Sequence, residues 1–351
     1  MCTDYFSNQS SSCLSKMSKI IDAKGLTKIF QSSAKVVDGV SFAVEEGEIF
    51  SLLGPNGAGK TTTIRMLNTL TSITGGEASI GGRDVTKEPG VVRELIGVVP
   101  QEITLDNELR GTENLLLAAK LHHVPTSLAH KRAGELLRLA ELGESGNNRV
   151  STYSGGMKRR LQLVTALVHN PKVLFLDEPT VGLDVQTRTR IWDYIRQLNR
   201  EQGLTILMTT HYLEEADQLS DIVAIMDHGT IKVSGSPTDL KESLHGDVLV
   251  LSVNDGGEDL TSFLKSVPNV TEVTRTEDSY RLKLPKVESA LPAIITNIAS
   301  RNLQITGTSF SKPTLDQVFL EVTGRSMRDA QDGGGNGRTD SYATARRSET
   351  K

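Results

Sequence analysis

Apolar positions along this chain fall into short continuous runs that alternate with stretches of helical period, and the alternation changes character once, near Leu244. Two strand-like segments, Ile20 to Phe30 and Val36 to Val44, flank the turn-like Gln31-Ser32-Ser33 and predict a hairpin. Glu48 to Leu53 reads as a buried strand, and Ile64, Leu67 and Leu70 recur at helical spacing just after it. Further strands are predicted at Glu77 to Ile80 and at Leu95 to Val99, the second stopping at Pro100-Gln101. Helices follow from Thr112, an N-cap ahead of Leu115, Leu116 and Ala119, and from Leu128 to Ala140. A third helix runs through Leu161, Val164 and Leu167 behind Ser154-Gly155-Gly156. Val173 to Leu176 has the unbroken apolar character of a parallel strand buried on both faces. A helix from Gln186 to Arg200 and strands at Leu204 to Met208, Ile222 to Met226 and Thr230 to Val233 complete this region.

Beyond Leu244 the order becomes strand (Val248 to Val253), helix (Leu260 to Val267), strands (Val270 to Thr274, Tyr280 to Leu284), helix (Val287 to Ala299) and strand (Leu303 to Phe310). That β-α-β-β-α-β order predicts a small ferredoxin-like α+β domain, with one more helix at Leu315 to Val322. The organisation expected is a Ser-rich disordered leader over 1–18 and an α/β domain over 19–244 with a helical part at about 101–170. An accessory domain over 245–325 and a disordered tail over 326–351 follow, and Met17 is an alternative start.

Composition adds limits. A length of 351 residues fits two domains, and a formal charge of −4 gives no overall attraction to nucleic acid, so no nucleic-acid partner is expected. Cys2 and Cys13, both in the leader, cannot staple a fold, which points to a reducing cytosol. No uncharged apolar run approaches the ~20 residues that cross a bilayer, so a membrane role has to come through a partner. The adjacent His122 and His123, with no other ligand at metal-binding spacing, read as surface residues.

Chemistry concentrates in two places. Gly54-Pro55-Asn56-Gly57-Ala58-Gly59-Lys60-Thr61-Thr62 fits G-x-x-x-x-G-K-[ST] between a strand and a helix. Its backbone N–H groups face inward at a helix N-terminus, Lys60 reaches the β- and γ-phosphates of a nucleoside triphosphate, and Thr61 offers its hydroxyl to Mg²⁺. Asp177-Glu178 sits at the carboxyl end of the apolar run, where open α/β sheets place ligands. Asp177 then serves the metal and Glu178 is the candidate base for an attacking water. Phe30, an aromatic ahead of the loop strand, is either a platform for a purine base or a core residue.

These pieces, in this order, resemble the ATP-binding cassette, the nucleotide-hydrolysing subunit of ABC transporters. The resemblance covers about Ile20 to Leu244 and rests on the phosphate loop (Walker A), Gln101 (Q-loop), Tyr153-Ser154-Gly155-Gly156-Met157 (signature), Val173 to Asp177 (Walker B), Glu178, Gly182-Leu183-Asp184 (D-loop) and His211 (switch). It implies a P-loop NTPase fold of the α/β class with an antiparallel β subdomain and an α-helical subdomain. It also implies ATP and Mg²⁺ as ligands, with Gln101 reaching metal and water and His211 contacting the γ-phosphate. Further implications are a head-to-tail homodimer in which Ser154, Gly155, Gly156 and Met157 meet the partner's ATP, and a separately encoded membrane permease. The chain would then lie on the cytoplasmic face of a membrane. Tyr153 and Gly182 depart from the commoner Leu and Ala or Ser of the family.

A narrower likeness is carried by Tyr153 to Met157 and by Lys312-Pro313-Thr314-Leu315-Asp316-Gln317-Val318-Phe319-Leu320 with Thr323-Gly324. It is to the daunorubicin/doxorubicin-resistance type of export ATPase, which implies export of a drug, lipid or other amphipathic cargo. The alternative is a non-transport ABC ATPase acting on a ribosomal, DNA or regulatory complex, although such proteins usually carry two cassettes or a long coiled-coil insertion.

Overall fold

The computed structural model describes residues 19–30, 34–244, 246–254, 259–276, 279–285, 287–301, 303–327 and 329. The leader, the Gln31-Ser32-Ser33 turn and nearly all of the expected tail lie outside them. The described chain forms two compact units, one from residues within 1–50 and 61–209, the other from residues within 51–60 and 210–351.

The first unit opens with an antiparallel sheet. Strands β1 (Lys19–Ile29) and β2 (Lys35–Glu45) pair antiparallel, with Ile21 opposite Val44 and Leu26 opposite Val40. β4 (Gly75–Ile80) pairs with the other edge of β1, and β5 (Arg83–Asp84) extends that sheet to the order β2-β1-β4-β5. β6 (Ile96–Val99), β7 (Val173–Asp177) and β8 (Thr205–Thr210) are parallel neighbours, Val173 aligning with Ile96 on one side and Thr205 on the other. All five residues of β7 are buried, as its unbroken apolar run requires of a strand covered on both faces.

Helices α2 (Pro89–Leu95), α3 (Gly111–Leu121), α4 (Thr126–Leu139), α5 (Gly155–Thr165) and α6 (Val185–Gln202) belong to the same unit. α2 corrects the sequence reading: Leu95 ends a helix and the strand starts at Ile96. With Pro at its start and only seven residues, α2 is too short for a helical period to show. α3 is capped at Arg110, whose N–H donates to Glu113 Oε2 at 2.8 Å, rather than at Thr112. His122 and His123 are exposed, and the His122 ring stacks on His169 with centroids 3.8 Å apart.

In the second unit, Ser51 to Leu53 finish β3 (Ile49–Leu53), whose neighbour is β9 (Ile222–Asp227), itself paired antiparallel with β10 (Thr230–Gly235). α7 (Leu213–Leu219) and α8 (Pro237–Glu242) accompany them. Next come β11 (Asp247–Asn254), α9 (Thr261–Lys265), β12 (Glu272–Arg275), β13 (Tyr280–Leu284), α10 (Val287–Ala299) and β14 (Gln304–Ser311). Their sheet has the antiparallel order β12-β13-β11-β14, the ferredoxin-like arrangement expected from the alternation of elements. Leu249, Leu251, Tyr280, Leu282, Ile294 and Ile298 fill its core.

α11 (Leu315–Thr323) starts at a capping box formed by Thr314 and Gln317. It does not join that core. Leu315, Val318 and Phe319 pack instead with Leu53, Val223, Ile225 and Leu240, around the strand that carries the phosphate loop. Met327 is buried in the same cluster at 3% exposure, within the stretch from Ser326 that was expected to be tail. One apolar residue among polar neighbours has no period by which to announce itself.

Phe319 is fully buried in this cluster. Truncation to Ala is therefore expected to cost about 3–5 kcal/mol in urea unfolding of the full chain, because the surroundings relax only partly around the cavity. A cost under about 1 kcal/mol would mean that α11 does not support the loop-bearing strand.

Candidate nucleotide site

Within the second unit, the phosphate loop leaves β3 at Gly54, whose N–H donates to Thr210 O at 3.2 Å. Gly54 is required by close approach: a Cβ there would stand 2.1 Å from the main-chain oxygen of Met226 in β9. The loop closes on itself through Ala58 N–H to Pro55 O, and the β9–β10 turn braces it through Gly229 N–H to Ala58 O, at 3.2 and 3.0 Å. Asn56 and Gly57 face solvent, while Gly54, Pro55, Ala58 and Gly59 are buried. Lys60, 4% exposed, donates from Nζ to Gly54 O at 2.7 Å and Pro55 O at 3.0 Å. A buried ammonium must keep its donors occupied, so these carbonyls hold it at the mouth of the loop. His211, in the same unit, is half-buried with its ring 4.2 Å from that of Tyr212.

Within the first unit, one carboxylate gathers the hydroxyls. Asp177 Oδ1 accepts from Thr61 Oγ1 at 2.9 Å and from Thr209 Oγ1 at 2.6 Å. Asp177 and Glu178 are 8% and 7% exposed, so both carboxyls sit where each hydrogen bond matters. Glu178 adopts φ +48°, the left-handed region, and precedes Pro179, which ordinarily demands extended backbone. Such a conformation costs about 1–3 kcal/mol and persists only where neighbours hold it. One restraint is visible in β8: Glu178 N–H donates to both the main-chain oxygen and Oγ1 of Thr209, each at 3.1 Å. Thr209 thus orders the metal-binding candidate with its hydroxyl hydrogen and the candidate base with its oxygens. The sequence reading ended this strand at Met208 and gave Thr209 no role.

Gln101 follows β6 with its side chain exposed. Thr62 is half-buried in α1 (Lys60–Leu67). Phe30 is 40% exposed, with Lys28 Nζ 5.1 Å from its ring centre, which leaves a face accessible and disfavours the core reading. At the signature, Ser154 is the N-cap of α5 and accepts from Met157 N–H at 3.3 Å. Ser154 and Gly155 are exposed, and Gly156 and Met157 half-buried. Gly156 lets α6 come close, since a Cβ there would lie 2.7 Å from Thr187 Cγ2. Asp184 caps α6, accepting from Thr187 N–H at 2.9 Å and Oγ1 at 2.6 Å, and these bonds hold its carboxyl below the usual range. Tyr153 differs from Leu by more than shape: it is buried, its hydroxyl donates to Ser145 O at 2.6 Å, and burial raises its pKa. Among the described residues no group of three His, Cys, Asp or Glu side chains forms a metal site, and no helix is long and apolar enough to cross a membrane.

Comparison with known proteins identifies the family. The family model described as "ABC transporter" matches residues 37–181, and that of the "ATP-binding protein DrrA1-3-like, C-terminal domain" matches 235–323. The chain is 40% identical over 316 residues to the daunorubicin/doxorubicin resistance ATP-binding protein DrrA of Streptomyces peucetius, covering 89% of this chain and 94% of that one. It is 36% identical over 313 residues to the linearmycin resistance ATP-binding protein LnrL of Bacillus subtilis (strain 168), covering 88% and 100%. Identity to the Nod factor export ATP-binding protein I of Rhizobium sp. (strain N33) is 37% over 312 residues, covering 89% and 99%. Among solved structures, cbiO1 from Clostridium perfringens superposes with a TM-score of 0.60 at 26% identity, covering 63% of this chain and 90% of that one. The dimeric cassette MJ0796 bound to ADP and Pi does so with a TM-score of 0.56 at 28% identity, covering 62% and 98%. A buried Asp177-Glu178 pair after a buried strand, a braced phosphate loop and these likenesses together place the chain in the ABC transporter family, as an ATP-binding subunit with ATPase activity.

Proposed function

We propose that this chain powers export through a separately encoded membrane permease by closing head to tail with a second copy around two ATP molecules. The observation that carries the reading is that Asp177 accepts from both Thr61 and Thr209 while Thr209 also accepts from the Glu178 N–H; Thr61 is next in sequence to the Lys60 loop and Thr209 to the Thr210-His211 segment. Relatives whose names state drug resistance or Nod factor export support the direction of transport.

The roles follow from chemistry. Backbone N–H groups of the phosphate loop and the ammonium of Lys60 take the phosphates, and Phe30 offers its exposed face to the base of the nucleotide. Mg²⁺ fits Thr61 Oγ1 and Asp177, two hard oxygen donors already 2.9 Å apart, with Gln101 reaching in from its loop. When bound, the ion neutralises phosphate charge. Glu178 accepts a proton from the attacking water and His211 contacts the γ-phosphate. Ser154 and Gly155, exposed at the start of an eleven-residue helix, present a hydroxyl and N–H groups to an anion held by a second copy. Asp184, fixed by Thr187, stands at the start of the neighbouring helix α6. Docking of a permease helix suits the exposed apolar side chains Ile103, Leu117 and Leu121, which lie on and near α3 behind Gln101. Residues 245–325 are read as an accessory domain that stabilises the dimer or regulates its closure.

Two outcomes check this reading. Gly54→Ala should weaken ATP binding, measured with a fluorescent nucleotide, by more than about tenfold, because the loop must move away from Met226 O. Unchanged binding would remove the loop from the site. Glu178→Gln should keep ATP binding, lose about 10²–10⁴-fold in turnover and accumulate as an ATP-dependent dimer in gel filtration. Undiminished turnover would reject Glu178 as the base.

A further inference from the structure

Arg159, two residues past the signature, is 3% exposed and directs its guanidinium at main-chain oxygens. Nε donates to Pro179 O at 2.6 Å, and Nη2 to Glu178 O at 3.2 Å and Asp177 O at 3.5 Å. Nη1 donates to Pro100 O at 2.8 Å, Gln101 O at 3.3 Å and Gln162 Oε1 at 2.9 Å. Gln162, one turn further along α5, donates to Glu102 O at 2.8 Å. All of these groups lie within the first unit.

A planar fork with five N–H donors can serve carbonyls from two separate segments at once, and a lysine with three donors on one nitrogen cannot reproduce that spread. The two segments are the Asp177–Pro179 corner and the Pro100–Gln101 turn. Glu178 is the left-handed residue of that corner, and Thr209 holds its N–H. Its carbonyl accepts from Arg159 at 3.2 Å and from the Val181 N–H of the same turn at 3.3 Å, so Arg159 restrains that oxygen from another element. An apolar side chain in this buried position would leave these carbonyls without their donor, so the guanidinium is what links the two segments.

We propose that Arg159 is a positioning residue for hydrolysis: it fixes the backbone of Glu178 and ties it to Gln101, so that movement of α5 or of the Gln101 loop moves the base. The inference rests on the reading of Glu178 as the base. It gives the signature helix a second task, since α5 presents Ser154 at its N-terminus and, one turn on, holds the corner of its own chain's Glu178.

The test compares the full-length wild type with Arg159→Lys, Arg159→Gln and Glu178→Gln, measuring kcat, KM for ATP, nucleotide affinity and thermal melting. Arg159→Lys should melt like the wild type and keep affinity and KM within about twofold, while kcat falls about 10- to 100-fold; Arg159→Gln should fall further. Wild-type kcat in both Arg159 variants would overturn the proposal, as would a raised KM with kcat intact. A lysine variant that fails to fold or melts far lower would overturn it too, making Arg159 a structural residue. If Glu178→Gln collapses while Arg159→Lys does not, only the positioning role fails. Undiminished turnover in Glu178→Gln takes the underlying reading down with it.

Discussion

The backbone corner at Glu178 is the constraint on which the first unit depends. β7 is buried along its whole length, so the chain leaves it abruptly, and it does so through a non-glycine residue at φ +48° in front of a proline. Holding that corner takes a threonine from β8 on its N–H and an arginine from α5 on its carbonyl. The same threonine hydroxyl fixes Asp177, which fixes Thr61. One strained turn therefore explains why two neighbouring elements carry polar side chains into an otherwise apolar interior.

The second unit meets a different demand. Its phosphate loop must bring a lysine ammonium out of water and keep it donating, which the carbonyls of Gly54 and Pro55 accomplish. The loop is braced from the β9–β10 turn through Gly229, and its parent strand is packed by α11, which crosses from the accessory sheet to bury Phe319 beside Leu53. α11 thereby shares one packed cluster with the strand that carries the loop, apart from the core of the accessory sheet.

What could be read from the sequence was whatever leaves a periodic or motif trace. The apolar run of β7, the glycine and lysine spacing of the loop, and the β-α-β-β-α-β order after Leu244 all left one. What could not be read acts through main-chain oxygens or single contacts. Arg159 acts mainly through main-chain oxygens of segments distant in sequence, and Thr209 meets Asp177 only across neighbouring strands, so neither role is announced by spacing along the chain. Asp184 looked like a motif residue, and its Thr187 partner becomes evident only in the helix cap. α2 is too short to show a period, and Met327 is one apolar residue in a polar stretch.

The central claim is that the Lys60 loop of one copy and the Ser154 loop of another make one working site. The most direct measurement mixes two inactive variants, Lys60→Ala and Ser154→Arg, and follows ATP hydrolysis. Each alone lacks one half of every site, whereas a mixed dimer contains one site with both halves intact. Recovery of turnover on mixing is the predicted result. Two variants that stay inactive together while forming mixed dimers, or a Ser154→Arg chain that hydrolyses ATP normally by itself, would contradict the account.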